Sequence, residues 1–126
     1  MNNCHSFRVI VAGSRNFDDY FLLREKCDAL LARKTDKNII IVSGTARGAD
    51  RLGERYAHER GYQIEQYPAD WNNNGKAAGP IRNAKMADNA DALIAFWDGE
   101  SRGTANMIET ARKKGLSVRV ITIQYK

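Results

Sequence analysis

Five short apolar runs punctuate the chain, and longer segments with helical spacing separate them. The runs are FRVIVA at residues 7–12, the IIIV stretch within residues 38–43, residues 62–67, ALIAFW at residues 92–97 and VRVITI at residues 118–123. They are too short for helices and rich in β-branched residues, as buried strands are. The third is more polar, which suits an edge strand. Between the first two, Tyr20, Leu23, Cys27, Leu30 and Leu31 recur at helical spacing, with Asp18 as the expected N-cap. A second helix is expected over residues 49–60, with Leu52, Tyr56 and Ala57 inward and Gly61 as its stop. A third opens at Gly79-Pro80 with Pro80 near its first turn and Ile81, Ala84, Met86 and Ala87 inward. A fourth runs over residues 104–114, with Ala105, Ile108 and Ala111 inward and Gly115 as its stop. Residues 1–6 read as a flexible tail and residues 69–78 as the longest loop.

The resulting βαβαβαβαβ order is that of a parallel sheet covered on both faces. The expected fold is α/β, a three-layer Rossmann-like doubly wound sheet of five strands in the order 3-2-1-4-5, formed by one domain over residues 1–126. In such sheets ligands bind beyond the carboxyl ends of the strands, where the strand order reverses, here between strands 1 and 4.

The loops expected on that rim have a common composition. Gly13, Ser14 and Arg15 follow strand 1, and Gly44, Thr45, Ala46, Arg47 and Gly48 follow strand 2. Asp98, Gly99, Glu100, Ser101, Arg102 and Gly103 follow strand 4 and lead into Thr104. Arg82 comes from the helix after strand 3. Glycines admit close approach, helix N-termini leave N–H groups without intrahelical partners, and guanidinium groups grip phosphate bidentately. Four arginines on one rim repel one another unless an anion lies between them or carboxylates neutralise them. The neutralising alternatives are Asp50 for Arg47 and Glu100 for Arg102. Asp50, Asp98 and Glu100 also count among the candidate ligand-facing groups, the last two as acceptors for ribose hydroxyls. Trp71 either stacks on a base or packs the long loop down.

Composition narrows the classes. The 126 residues, 43% hydrophobic and 28% charged, are ordinary for a globular domain, and no apolar run nears the ~20 residues of a membrane span. With no signal-peptide pattern, the expectation is a cytoplasmic protein without a membrane partner. Cys4, Cys27, His5 and His58 form no metal or redox spacing, so no metal is expected. The net charge of +5 and pI of about 9.4 suit an anionic partner.

The motifs GSRNFDD, SGTARGAD, YPADW, AAGPIRNAKMAD and IAFWDGESRGTANMIETAR resemble those of the YspA-like (cpYpsA-related) branch of the SLOG superfamily, a bacterial and phage group. The resemblance extends over residues 7–121. It implies a Rossmann-like fold with a nucleotide or related ligand at the rim loops, no separate cofactor, and self-association, a homodimer being the simplest case. SLOG also includes DNA-processing protein A and the lonely-guy phosphoribohydrolases, which cleave the N-glycosidic bond of nucleoside monophosphates. Arg82, Asn83 and Met86 resemble the Arg-Lys-x-x-Met motif of those enzymes, which places Asn83 among the ligand-facing residues. Gly99 to Thr104 resembles part of their PGGxGTxxE loop. The acidic position of that loop is Met107 here, so the catalytic carboxylate is not matched. The expected function is therefore a nucleotide-binding sensor or accessory module. The alternatives are an N-glycosidase or nucleotide hydrolase using Arg82, Asp98, Glu100 or Glu109, and single-stranded nucleic-acid binding, which lacks the aromatic-basic stripe that base stacking needs.

Overall fold

A computed structural model describes residues 5–34 and 36–124. β1 (His5–Gly13), β2 (Lys37–Ser43), β3 (Gln63–Gln66), β4 (Ala92–Trp97) and β5 (Ser117–Thr122) form one parallel sheet in the order β3-β2-β1-β4-β5, as the alternation of patterns implies. The helices between them are α1 (Tyr20–Leu31), α2 (Ala49–Arg60), α4 (Ala78–Asp88) and α5 (Arg102–Lys113), with a one-turn α3 (Trp71–Asn74) before α4.

Alternating side chains of the central strands serve opposite faces, because the strand period is two. Val9, Val11, Ile41, Ile94 and Phe96 pack with Leu23, Cys27 and Tyr56 of α1 and α2. Ile10, Val42, Leu93 and Ala95 pack with Met86 of α4 and Met107 and Ile108 of α5. Burial on both faces explains why β2 and β4 read as continuous apolar runs. β3, with its QIEQ sequence, lies at an edge. Chain connections leave β1 and β2 toward one face, and β3 and β4 toward the other. The reversal between β1 and β4 opens a crevice at their carboxyl ends.

Several local expectations differ from the structure. His5 and Ser6 are not tail but the first residues of β1, paired with Lys37 and Asn38; residues 1–4, Cys4 included, lie outside the described residues. Asp19, not Asp18, caps α1, since its carboxylate accepts the Leu22 N–H at 3.1 Å. The stretch 69–78 is not an open loop. Asp70 accepts the Asn73 N–H at 3.2 Å and the Asn73 side-chain amide at 2.7 Å, which starts α3, and a 3-10 turn at Gly75–Ala77 leads directly into α4. α4 therefore begins at Ala78, and Pro80 is its third residue, still within the first turn where a missing N–H removes no intrahelical bond.

The faces of three helices are turned relative to expectation. Ile81 is 39% exposed while Asn83 is buried, because Asn83 reaches across to α5. On α5, which starts at Arg102 rather than Thr104, Thr104 and Met107 are buried and Ala105 only half-buried. On α2, Asp50 and Glu54 turn inward while Leu52 is half-buried.

Leu93, with no exposed surface at the centre of β4, carries more of the stability than Ile81. Leu93→Ala should cost roughly 2–5 kcal/mol and Ile81→Ala far less, read as a shift in denaturant midpoint at constant m value. Equal shifts would contradict this layering.

Candidate anion site at the carboxyl ends of the strands

The segment after β2 is shaped by a buried polar cluster. Ser43 donates from its hydroxyl to Glu54 at 2.6 Å and accepts the Thr45 N–H at 3.1 Å. Thr45 is held at φ 67°, a conformation that costs a β-branched residue energy and persists only where its surroundings enforce it. Glu54 also accepts from Gln66 and Arg51; burial raises its pKa, but the Ser43, Gln66 and Arg51 contacts outweigh burial and hold it below the ordinary value. Gly44 lies where a Cβ would stand 2.6 Å from Arg82 Nη1 and 2.8 Å from Asp50 Oδ2, so only glycine leaves room for both. Gly48, at φ 83°, passes so close to the backbone carbonyls of Ser14 and Arg15 that a Cβ would collide with both.

Two hollows share the walls formed by Arg15, Ala46 and Arg82. The outer one, about 510 Å³, lies within the size range of ligand sites. Its other walls are Gly44, Thr45 and Arg47 on one side, and Pro68, Ala69 and Trp71 on the other. The inner one, about 70 Å³, reaches Gly13, Asp50 and Asn83 and the start of α5 at Ser101, Gly103 and Thr104. Neither α2 nor α5 has a side-chain cap bond, in contrast to α1 and α3 with their aspartates. First-turn N–H groups of α5 therefore border the inner hollow without a side-chain acceptor.

Arg82 is fixed rather than mobile. Its Nε donates to Asn83 Oδ1 at 2.9 Å and its Nη1 to the Gly44 carbonyl. Asn83 in turn donates to Asn106 at 2.9 Å and to the Gly103 carbonyl at 3.4 Å, which ties α4 to the first turn of α5. Burial, with Arg15 adding to it against the opposing pull of Asp50, lowers the Arg82 pKa from its ordinary value; a guanidinium nonetheless keeps its charge. Among the described residues Arg15, Arg47, Arg82 and Arg102 form no ion pair with a carboxylate, so neither Asp50 with Arg47 nor Glu100 with Arg102 makes the neutralising contact.

The structure gathers Arg15, Arg47 and Arg82 around the hollows but not Arg102, which is exposed on the first turn of α5 and lines neither. Asp98, Gly99 and Glu100 also line neither. Asp98 shapes its loop: its carboxylate accepts the Ser101 and Glu100 N–H groups at 2.8 and 2.9 Å, and these bonds hold its pKa below the ordinary value. Ser14 is 2% exposed and joins the rim loops, its hydroxyl accepting the Asp98 N–H and its own N–H donating to Phe96 O. Glu109 pairs with Lys113 at 3.0 Å on the exposed side of α5. Trp71, 52% exposed, forms part of the outer wall and is not packed away into the core.

Sequence reasoning did not include Pro68 or Ala69 in the walls, nor the support from Glu54 and Asn106. Glu54 had one signal: it stands four residues after Asp50, so both carboxyls occupy one face of a helix expected to be apolar there.

Asp50 is the buried carboxyl of the site, 5% exposed. Burial pushes its pKa up to about 6, against the Ala46 N–H it accepts at 3.2 Å and the attraction of Arg82.

Comparison with known proteins gives a consistent picture. Residues 7–73 match the family model described as the YspA, cpYpsA-related SLOG family. The Gene 61 protein of Mycobacterium phage D29 is 35% identical over 117 residues, 88% of this chain and 93% of that protein. Among solved structures, DNA processing protein A (DprA) from Streptococcus pneumoniae superposes with a TM-score of 0.72 at 20% identity over 95% of this chain and 51% of that one. The protein TM1055 superposes with a TM-score of 0.62 at 23% identity over 90% and 72%. At these identities the structural likenesses show the shared fold, and the chain spans about half the length of DprA.

The raised Asp50 pKa has a stability consequence. The folded state binds the Asp50 proton more tightly than the unfolded state, with its value near 3.8. Stability from this group is therefore full below pH 4 and is lost as pH rises through 6. The stability of wild type relative to Asp50→Asn should fall by roughly 2–3 kcal/mol between pH 4 and pH 7. Urea titrations at both pH values check this; a difference independent of pH would refute it.

Proposed function

The chain belongs to the YspA, cpYpsA-related SLOG family, and from that premise we propose that it binds a nucleotide or nucleotide derivative at the carboxyl rim of the sheet, as a sensor or accessory module. The observation that supports this most strongly is the group of Arg15, Arg47 and Arg82 around one hollow of about 510 Å³, none of them in an ion pair among the described residues. Guanidinium groups gathered on one hollow without direct ion pairs are stabilised by an anion that enters between them. The phosphate occupies the arginine-lined space, and the uncapped first turn of α5 contributes N–H groups from the inner side. Trp71 offers a flat apolar face at the far wall, suited to a base. The carboxylates weighed for a hydrolase, Asp98, Glu100 and Glu109, stand outside both hollows, and the carboxyl that lines one of them is Asp50.

Calorimetry with AMP, ADP and ADP-ribose tests the proposal. At least one should bind, and at about 100 times its Kd it should add about 2.7 kcal/mol of stability. Arg47 is exposed and outside every ion pair, so Arg47→Ala should leave the unliganded melting temperature unchanged while weakening binding by about tenfold or more. Full affinity in Arg47→Ala and Arg15→Ala together would refute the reading.

A further inference from the structure

Asp50 has a feature that anion binding alone does not use. Its Oδ2 accepts the Ala46 N–H, while its Oδ1 has no hydrogen-bond partner among the described residues. Yet this oxygen is not a sealed orphan, since Tyr20 Oη is the only side-chain polar atom among the described residues that is both enclosed and unpartnered. Oδ1 therefore opens outward from a residue that is 95% enclosed, and the space Asp50 borders is the inner hollow. Arg82 borders the same space without forming an ion pair with Asp50. Both groups stand within 3 Å of the point that a Gly44 Cβ would occupy. A buried carboxyl, its Oδ2 on the Gly44 side, thus sits beside a half-buried cation, each held by other contacts.

An ionised carboxylate, the main form of Asp50 at pH 7, repels a bound anion unless a ligand O–H lies between them. Anions with an O–H group satisfy both partners; anions without one leave Oδ1 facing negative charge in an enclosed space. We propose that Asp50 makes this site selective for oxyanion ligands that carry a hydroxyl donor, the O–H bonding to Oδ1 while Arg82 and Arg15 hold the negative charge. Sites built around a ligand hydroxyl reject analogues lacking it far more strongly than apolar pockets reject a missing methylene. The donor comes from a phosphate P–OH or from a ribose hydroxyl beside the phosphate. Glu54 and Arg51 on α2, Arg82 on α4 and Arg15 after β1 are the charged groups nearest Asp50, and all are present in both arms of the comparison.

The inference rests on the nucleotide-binding reading, and one set of titrations separates their failures. Inorganic phosphate is compared with sulfate at pH 7, and AMP with its 2′-deoxy and 3′-deoxy analogues, each against wild type and Asp50→Asn. Wild type should prefer the donor-bearing member of at least one pair by tenfold or more. Preference for phosphate over sulfate assigns the donor to P–OH; preference for AMP over a deoxy analogue assigns it to that ribose hydroxyl. Asp50→Asn keeps an acceptor for Ala46 and offers an amide donor in place of Oδ1, so the preferred ratio should collapse and sulfate binding should strengthen. Equal binding of both members of every pair by wild type overturns the inference and leaves nucleotide binding standing, as does an unchanged ratio in Asp50→Asn. No binding of any probe overturns both.

Discussion

Three like charges held around one hollow are the constraint that orders this structure. Arg15, Arg47 and Arg82 come from three separate segments, after β1, after β2 and from α4, and each borders the same space. Among the described residues none forms an ion pair with a carboxylate, and Asp50 alone attracts one of them, Arg82, although the surface elsewhere pairs Arg60 with Asp28, Arg8 with Glu65 and Lys114 with Asp88. A chain with carboxylates available for ion pairs leaves these arginines without them. Arg15 repels Arg82, against the attraction of Asp50.

The supporting structure is visible around them. The parallel sheet brings β1, β2 and β4 to one rim. Ser43 and Glu54 hold Thr45 in a backbone conformation it does not favour, which aligns the segment carrying Arg47. Asn83 and Asn106 tie Arg82 to the first turn of α5. Two buried carboxyls complete the arrangement with opposite tendencies: Glu54, satisfied by three donors, stays ionised, whereas Asp50, with one backbone donor, takes up a proton more readily. Strain and partly satisfied polar groups concentrated at one place in an otherwise well-packed domain are what a binding site requires.

The framework was legible because its signals are local. Apolar runs bounded by glycine locate strands, and their alternation with helical periodicity implies a parallel sheet, for which 3-2-1-4-5 is one of the common orders. The rim arginines were legible too, since each follows a strand. What the sequence concealed depends on side-chain partners distant along the chain. Asn83 faces inward to partners on another helix, Asn106 and the Gly103 carbonyl, and Ile81 faces outward. The stretch around Trp71 looked like a loop because its helical turn rests on one cap, Asp70, rather than on apolar periodicity. Arg102 reads as equivalent to the other three arginines, but the turn of α5 directs it away from the hollow that Gly103 and Thr104 border. The motif resemblance located the family and the fold; it did not distinguish Asp50, whose role depends on burial.

A crystal of the protein saturated with adenosine 5′-thiophosphate tests the central claim most directly, because the sulfur marks the phosphate position by anomalous scattering. The thiophosphate should lie between Arg15, Arg47 and Arg82, in contact with at least two of the three guanidinium groups. A thiophosphate bound elsewhere on the protein, with the three-arginine hollow left open, would contradict it.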